Sequence, residues 1–373
     1  MSALEIFKQL GAVVVSTDLL IDAAVPLNLS GEAVRGRICT FLDEQGQEWA
    51  LRPDLTLPVV LRELKAAAAL NEPQARCYSG PVFRLPVAPD EPVEYQQIGL
   101  ERFGYPSTSA DDVEMVQVLV QACQAEGVTQ AALSCGDLSI FPAFVDALEL
   151  PEAVSSALKR AFRQPGGVRA YLAGQESQTQ APTGLSAHLA NLPEAEVHAF
   201  LTDLFTLTGM HPMGERSLDE IVERLVQKQV EQGQAGLTAL MRSLILELLS
   251  VDTPLDEAVS TLRDLAQLAN TGGVEQVLDG FEARVELIQS SIPEAFLRGA
   301  RFATRFGRRF TYYDGFVFEF AETADGTSSA LPFAAGGRYN SLFHKLSNGQ
   351  VSSSAIGGIL IPHRFPAGQG AAT

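Results

Sequence analysis

The chain has 373 residues, of which 46% are hydrophobic and 19% charged, and its net charge is −18. This length is enough for a full hydrophobic core and more than one domain, while the acidic balance argues against a large nucleic acid as the main ligand, because such proteins usually present a basic surface. Four scattered cysteines without a CxxC pair, and five histidines without metal-ligand spacing, argue against a disulfide framework and against a metal site.

Targeting and membrane signals are not visible in the sequence. It contains no run of about 18 apolar residues, and its N-terminus does not combine a basic segment with an apolar core. We therefore expect no membrane span, no signal peptide and a reducing, cytoplasmic environment.

The first predicted elements are short. Ala3–Leu10 has the apolar spacing of a helix, and Ala12–Val15 is a short apolar strand candidate. Arg37–Leu42 and Glu48–Leu51 flank a turn-rich pentapeptide, which predicts a hairpin.

The segment Arg52 to Thr56, with the sequence RPDLT, precedes a predicted helix. Pro58 can open this helix, and Val59–Leu70 continues it with good helix formers. Asp54 and Thr56 stand where helix caps are found, and capping needs no ligand.

A second hairpin follows, between Ser79 and Gly104. Ser79–Leu85 predicts a strand, the prolines and acids of Val87–Pro92 predict a turn or loop, and Val93–Phe103 predicts a second strand.

This hairpin carries polar residues on one surface. Alternation along the second strand places Tyr95, Gln97, Gly99, Glu101 and Phe103 on the same side. With Arg84 nearby, an arginine, an amide and a carboxylate can hold a small zwitterion, because the charges are complementary. A solvated antiparallel face is the alternative interpretation.

The middle of the chain is predicted to be helical, with a short buried strand at Gln130–Ser134. Asp111, Asp112 and Glu114 in the first turn of a helix suit the positive end of its dipole, so we interpret them as structural and not as a metal site. The predicted helices are Ala110–Gln124, Phe141–Leu148 and Glu152–Phe162.

From about Ala147 to Ser291 nearly every segment has a helical pattern, apart from a glycine-containing loop region at Gln164–Gln180. Ser217–Glu220 is a capping box, and Thr253–Asp256 has the cap, proline and acid of a helix start. Residues 147–291 are therefore predicted to be a mainly helical insertion or connecting subdomain, between residues 1–146 and 292–373 of a discontinuous core domain.

Strand character returns at Arg301–Phe320. Asp314-Gly315 lies between alternating apolar residues, which is a hairpin turn signal. Further on, Ala334–Leu342 contains the string GGRYN, whose glycines allow a close approach of backbone to a ligand, and Ser354–Ile361 predicts a strand.

The strings FR, a loop and YQQIGLE resemble motif 2 of the class II aminoacyl-tRNA synthetases, specifically of the histidyl-tRNA synthetases. The resemblance implies an α+β fold, with a class II synthetase-like antiparallel sheet flanked by helices and a helical insertion. It also implies that Gln97 and Glu101 hold the amino group of histidine, together with Asp54 and Thr56, and that Arg84 meets the α-phosphate of ATP.

Three later segments extend the resemblance. The tyrosine pair before VFE resembles the first histidine-specific motif, which implies that Arg308 helps to activate histidine and that Tyr312 and Tyr313 line the imidazole pocket. GGRYN resembles the second such motif and adds Tyr339. Ser354–Ile361 resembles the strand of motif 3, whose closing arginine is Arg364.

The chain departs from the synthetases mainly where ATP and tRNA bind. Leu85-Pro86 replaces an acid, the loop Val87–Pro92 is acidic where the enzymes have basic residues, and Pro362 disrupts the motif 3 helix. In the histidine pocket, Asp54 replaces a glutamate, while Arg309 and Thr311 replace a glycine and an aspartate. The resemblance also leads us to expect no anticodon-binding domain.

This combination resembles the synthetase-like regulatory subunits of ATP phosphoribosyltransferase. The resemblance implies a subunit without catalysis of its own that acts in histidine biosynthesis with a short-form catalytic subunit, in a hetero-octamer, and that responds to histidine. A homodimer is expected, although the segment that resembles motif 1 is short and lacks its usual proline. We expect no tRNA, membrane, metal or cofactor partner.

Two other functions fit parts of the sequence. An amino-acid-activating ligase, histidyl-tRNA synthetase-like and acting on a non-tRNA acceptor, would use Arg84, Arg308 and Arg364. An amino-acid-binding or scaffold protein without an enzyme partner would need only the pocket.

Overall fold

A computed structural model describes residues 1–66, 72–87, 91–164, 166–177, 237–269, 272–306, 312–322 and 331–366. The chain forms two compact units, one of Met1–Phe144 with Glu247–Thr373 and one of Val145–Leu246. The domain division expected from the sequence stays a prediction.

The strands are short except for two, Gln74–Phe83 and Glu94–Phe103, which have ten residues each. Within the described residues they are β1 (Val13–Val14), β2 (Leu20–Asp22), β3 (Thr40–Leu42), β4 (Glu48–Leu51), β5 (Gln74–Phe83), β6 (Glu94–Phe103), β7 (Ala132–Asp137), β8 (Asp252–Pro254), β9 (Arg301–Ala303), β10 (Phe316–Ala321), β11 (Ala334–Arg338) and β12 (Ala355–Leu360).

The helices differ widely in length. Those described are α1 (Ala3–Gln9), α2 (Ala24–Leu29), α3 (Glu32–Arg35), α4 (Thr56–Lys65), α5 (Ser109–Ala125), α6 (Ile140–Ala147), α7 (Glu152–Phe162), α8 (Gly167–Ser177), α9 (Ala239–Ser250), α10 (Ala258–Ala269), α11 (Glu275–Ser291) and α12 (Ser341–Leu346).

A nine-stranded sheet, in the order β1-β5-β6-β12-β11-β10-β7-β9-β8, organises the first unit within the described residues. In the six strands from β5 to β7 of this order, each strand is antiparallel to its neighbours. Two parallel contacts, of β1 with β5 and of β7 with β9, extend it at both sides. The predicted antiparallel sheet with flanking helices is therefore confirmed.

The long hairpin is also confirmed. β5 and β6 pair over ten residues each, with Ser79 opposite Ile98 and Tyr78 opposite Gly99. The side predicted to carry Gln97 and Glu101 is buried at both positions. The first strand begins at Gln74, earlier than expected.

The two faces of β12 show how the sheet divides the interior. A side chain at Gly358 would meet Leu119 of α5, whereas a side chain at Gly357 would overlap the carboxylate of Glu101. Because neighbouring residues of a strand point to opposite faces, α5 covers one face and the polar group around Glu101 lies on the other. On this second face, residues of α4 and α12 belong to one hydrophobic cluster, which includes Leu57, Val60, Leu342 and Phe343.

The predicted hairpin around residue 45 is confirmed as β3 and β4, and β2 joins it in a three-stranded sheet within the described residues. Helices α5, α6 and α7 lie within two residues of their predicted bounds. The capping box Ser217–Glu220 lies outside the described residues.

Three local predictions were wrong. Gln164–Gln180 contains α8, which begins directly after Gly166, so the glycines mark the start of a helix. Thr253 pairs with Phe302 in a short edge strand, and the helix starts later, after a 3-10 turn at Leu255–Glu257.

The third concerns Asp314-Gly315, which does not form a hairpin turn. β10 pairs instead with β7 and β11. The carboxylate of Asp314 accepts the backbone N–H groups of Asn340 and Ser341, at the start of α12. Asp314 thus satisfies N–H groups that a helix start leaves without partners.

In the part of the chain that the structure describes, no helix has both the length and the apolar character needed to cross a membrane.

Candidate functional site

Glu101, on β6, is the centre of a buried polar cluster. Its Oε1 accepts hydrogen bonds from Thr56 Oγ1 and from the hydroxyl of Tyr78, each at 2.7 Å. Its Oε2 accepts a hydrogen bond from the hydroxyl of Tyr339. Three hydroxyl donors from three different elements therefore converge on one carboxylate.

Glycines on the neighbouring strands make room for this cluster. The ring of Tyr78 lies over Gly99, where any side chain would overlap its hydroxyl. The carboxylate of Glu101 lies over Gly357 in the same way. Glycine at these two positions therefore leaves room for the side chains of Tyr78 and Glu101 to lie against the sheet.

The segment before α4 brings a second carboxylate to the cluster. Asp54 Oδ1 accepts the N–H of Leu57 at 2.9 Å, which is the capping role expected from the sequence. Gln97 Oε1 accepts the N–H of Leu55 at 3.1 Å, so the amide of β6 fixes the same segment. Thr56 takes no capping role, because its hydroxyl turns to Glu101.

Two buried polar atoms, one in the segment before α4 and one on β6, have no hydrogen-bond partner within the described residues. They are Asp54 Oδ2 and Gln97 Nε2. Leaving a buried carboxylate oxygen and an amide N–H₂ unsatisfied costs free energy. Asp54 also lines a cavity, so its Oδ2 is a candidate for contact with a ligand.

Three tyrosines form an aromatic wall beside the carboxylates. The ring centroids of Tyr312 and Tyr313 are 4.7 Å apart, and those of Tyr313 and Tyr339 are 6.3 Å apart. Tyr312 and Tyr339 pack edge to face at 5.9 Å. All three phenol groups have raised pKa values because they are buried, and the charge of Glu101 adds to this.

A cavity lies beside Asp54 and the rings of Tyr312 and Tyr313. Arg84, which donates its Nε–H to the carbonyl of Pro53 at 2.7 Å, contributes a positive charge to the cavity. The residues that line it are Asp54, Thr56, Arg84, Phe306, Tyr312, Tyr313, Val317, Phe318, Glu319, Ala335, Gly336 and Ile359.

Two carboxyl groups of the site, those of Glu101 and Asp54, have raised pKa values. Burial raises the pKa of Glu101 to about 7, although the hydroxyls of Tyr339, Thr56 and Tyr78 oppose the shift, and the charge of Asp54 adds to it. Burial also raises the pKa of Asp54, against the N–H of Leu57 and the charge of Arg84. Two acids in a low-dielectric site repel each other and attract a cation.

The arrangement suits a small molecule that carries both charges. An ammonium group can meet Asp54, with the charge of Glu101 behind it, and a carboxylate can meet Arg84. The aromatic wall then faces the remainder of the ligand.

Arg364 lies in a different group of side chains. Pro362–Arg364 forms a 3-10 turn, in agreement with the prediction that Pro362 disrupts a helix there. Arg364 Nη2 is 3.3 Å from Glu91 Oε1 and its guanidinium is 5.5 Å from the centroid of Tyr95.

The structure brings most of the residues selected from the sequence together. Asp54, Thr56, Tyr312 and Tyr313 line the cavity, while Gln97, Glu101 and Tyr339 support it through hydrogen bonds or ring packing. Arg308, Arg309 and Thr311 lie outside the described residues.

Sequence reasoning missed Tyr78, Glu319 and Arg37. Tyr78 could have been found from the register of the hairpin, because it stands opposite Gly99, in the row that holds Gln97 and Glu101. Glu319 alternates with the buried phenylalanines of β10, and this alternation places it on the cavity side. Arg37 has no signal in its own segment, because its partner Glu91 is distant in sequence.

Comparisons with known proteins show which family this chain is similar to. A model of the family described as histidyl-tRNA synthetase matches residues 2–200. The ATP phosphoribosyltransferase regulatory subunit of Sinorhizobium fredii is 30% identical over 345 residues, which make up 90% of this chain and 87% of that protein. The regulatory subunit of Allorhizobium ampelinum is 30% identical over 346 residues, with 91% and 89% of the two chains covered.

Solved structures show the same fold at lower identity. An ATP phosphoribosyltransferase regulatory subunit/histidyl-tRNA synthetase from Bacillus halodurans is 19% identical, with a TM-score of 0.59 over 97% of this chain and 75% of that one. A histidyl-tRNA synthetase from a Nostoc species is 15% identical, with a TM-score of 0.58 over 97% and 68%.

The predicted class II synthetase-like fold and the predicted family are both confirmed. The chain belongs to the family of ATP phosphoribosyltransferase regulatory subunits.

Proposed function

We propose that this chain is a subunit without catalysis of its own that binds histidine in the cavity between Asp54 and the tyrosine wall, and regulates a short-form ATP phosphoribosyltransferase catalytic subunit. The observation that carries the histidine site is the buried Asp54–Glu101 pair, with Asp54 Oδ2 left without a hydrogen-bond partner in the described residues. The relatives' shared description as regulatory subunits supports the choice of enzyme.

The α-ammonium of histidine would complete the polar cluster. Asp54 Oδ2 would accept one of its hydrogen bonds, and the negative charges of Asp54 and Glu101 would stabilise it. Charge-assisted hydrogen bonds of this kind are about twice as strong as neutral ones. The carboxylate of the ligand would pair with Arg84, which supplies the positive charge of the cavity.

The imidazole ring would lie against Tyr313, next to Ala335 of β11, which also lines the cavity. Glu319, on the same wall, would accept an imidazole N–H.

Regulation then requires that histidine bind the active and inhibited states of the complex with different affinities. A homodimer of this chain within a hetero-octamer is part of the proposal and follows from the family resemblance.

The experiment is reconstitution with a purified short-form catalytic subunit. We expect this chain to raise the rate of phosphoribosyl transfer and histidine to inhibit the complex. Asp54→Asn should raise the histidine concentration for half-inhibition at least about tenfold, because the ammonium loses a charged partner. Asp256→Asn removes an exposed acid elsewhere and should leave that concentration unchanged.

Two results would contradict the proposal. Turnover of ATP with phosphoribosyl pyrophosphate by this chain alone would make it an enzyme. Histidine-dependent exchange of pyrophosphate into ATP would instead support the alternative, an amino-acid-activating ligase, which the position of Arg84 beside the cavity favours.

A further inference from the structure

Asp314 follows directly after the tyrosine pair of the aromatic wall and joins it to the segment around Tyr339. Its Oδ1 accepts the N–H of Asn340 at 3.0 Å, and its Oδ2 accepts the N–H of Ser341 at 2.6 Å. Its own N–H donates to the carbonyl of Arg338 at 3.0 Å. Three hydrogen bonds from one residue therefore enclose Tyr339, which lies between these partners in the sequence.

The residues around Tyr339 do not supply this support themselves. Asn340 is the N-cap residue of α12, yet its side chain makes no capping hydrogen bond to the helix. Its amide oxygen accepts the N–H of Ala355, at the start of β12, at 2.9 Å, and its amide N–H₂ donates to Ser107 Oγ at 3.0 Å. Because a helix start leaves N–H groups without partners, the carboxylate of Asp314 stabilises this start from outside the segment.

The enclosed tyrosine connects the aromatic wall to the buried carboxylate. The hydroxyl of Tyr339 donates to Glu101 Oε2, and its ring centroid is 5.9 Å from that of Tyr312 and 6.3 Å from that of Tyr313. Its side chain is buried, and in a close-packed interior the position of a ring depends on the position of its backbone. Asp314 thus fixes the wall on both sides, as the chain neighbour of Tyr313 and as the hydrogen-bond partner of the backbone around Tyr339.

We infer that Asp314 is a positioning residue for the candidate site, which holds Tyr339 where its hydroxyl meets Glu101 and its ring supports Tyr313. Asp314 does not line the cavity, so it acts through these tyrosines and not through a contact with the ligand. Binding sites need such supporting hydrogen bonds to keep the contacting side chains in place. The consequence for histidine affinity rests on the proposed function.

The test is calorimetric titration with histidine of the unchanged chain and of Asp314→Asn. The variant keeps the shape of the side chain but replaces one acceptor oxygen by an N–H₂ group, which cannot accept a backbone N–H. We expect histidine to bind at least about fivefold more weakly.

Asp43→Asn is the matched control. Asp43 Oδ1 also accepts two backbone N–H groups, those of Gln45 and Gln47, each at 2.9 Å, in the turn between β3 and β4. This variant should bind histidine as the unchanged chain does. Equal losses of affinity in both variants, or an unchanged affinity in Asp314→Asn, would overturn the inference.

A double-mutant cycle with Tyr339→Phe separates positioning from a general loss of stability. If Asp314 acts through Tyr339, the effects of the two substitutions on histidine affinity are coupled. Asp314→Asn should then weaken binding less in the Tyr339→Phe chain than in the unchanged chain. A loss of the same size in both chains would contradict the inference.

The pH dependence of stability tests the inference without histidine. Burial raises the pKa of Glu101 to about 7, and the hydroxyl of Tyr339 opposes this shift, so a displaced Tyr339 should raise the pKa further. The other groups that act on this carboxylate are Asp54, Thr56 and Tyr78. The free energy of unfolding falls as pH rises through the pKa of the folded state. The upper end of this fall should move to higher pH by at least about half a unit in Asp314→Asn, and not in Asp43→Asn.

The two measurements separate this inference from the proposed function. A shifted pH profile in a chain that does not bind histidine would support the positioning role and contradict the histidine site. Equal pH profiles in Asp314→Asn and Asp43→Asn would overturn the positioning role, whether or not histidine binds. If Asp314→Asn folds poorly, Asp314→Ser keeps one acceptor oxygen and should show smaller changes in the same directions, and the absence of any change would overturn the inference.

Discussion

Glu101 shows how a single residue can be costly for the fold and useful for a ligand. Its ionised form accepts three hydroxyl donors, from Thr56, Tyr78 and Tyr339. Burial nevertheless raises its pKa to about 7, so near neutral pH the site exchanges a proton readily. A ligand ammonium would lower this pKa, because the opposite charge stabilises the carboxylate.

The first prediction concerns the pH dependence of stability. The pKa of Glu101 is about 7 in the folded chain against 4.5 for the free group, so the folded state binds this proton more tightly than the unfolded state. The free energy of unfolding should therefore fall as pH rises from about 4.5 through about 7, by up to roughly 3 kcal/mol from this group.

Glu101→Gln cannot titrate and serves as the reference. Urea unfolding at pH 5 and pH 8 gives the difference in unfolding free energy between the unchanged chain and the variant. We expect the unchanged chain to be less stable relative to Glu101→Gln at pH 8 than at pH 5, because only the unchanged chain ionises Glu101. The same difference at both pH values would contradict the raised pKa.

At the scale of elements, the buried ion pairs at the start of α5 join distant parts of the first unit. Asp112 Oδ2 is 2.9 Å from Arg284 Nε on α11, and its Oδ1 is 2.6 Å from Arg338 Nε on β11. Arg284 also pairs with Asp137 of β7 at 2.7 Å. Asp112, one of the acids that the sequence analysis interpreted as structural, thus joins α5 to α11 and β11, and Arg284 extends the network to β7.

The second prediction follows from this network. Asp112→Asn leaves two buried arginines with one negative partner fewer, which should lower the free energy of unfolding by roughly 3 kcal/mol. Asp279→Asn breaks the exposed contact with Arg263 and should cost less than about 1 kcal/mol. Urea unfolding of both variants compares them, and equal small losses would show that the network stabilises little.

The sequence predicts elements well where local chemistry decides them. Alternation in β6 placed Gln97 and Glu101 correctly, and Pro151 gave the start of α7. Predictions failed where a distant partner decides the structure. Thr253 forms a strand because β9 lies beside it, and the carboxylate of Asp314 caps α12 instead of forming a turn.

At the scale of the whole molecule, the sheet brings together residues that are far apart in sequence. Glu101 lies on β6 and Tyr339 directly after β11. More than half the chain separates them, yet they share a hydrogen bond. No local pattern predicts such a contact. The family resemblance assigned both residues to one site but did not predict their hydrogen bond.

The same limit applies to the ion pairs that Glu91 makes with Arg37 and Arg364. Arg84 and Arg364 were selected through motifs, whereas Arg37 and Glu91 became visible only when the fold brought them together. The sequence could therefore predict the residues of the candidate site in outline but not the ion pairs beside it.

The most direct test of the account is calorimetric titration of the chain with histidine at pH 8, where Glu101 is mostly ionised. We predict binding of one histidine per chain with a Kd of about micromolar size, at least about tenfold weaker for Asp54→Asn, and unchanged for Asp256→Asn. Asp54→Asn should stay folded, because it removes a buried charge and keeps the shape of the side chain. Absent binding to the unchanged chain, or equal affinity for Asp54→Asn, would contradict the account.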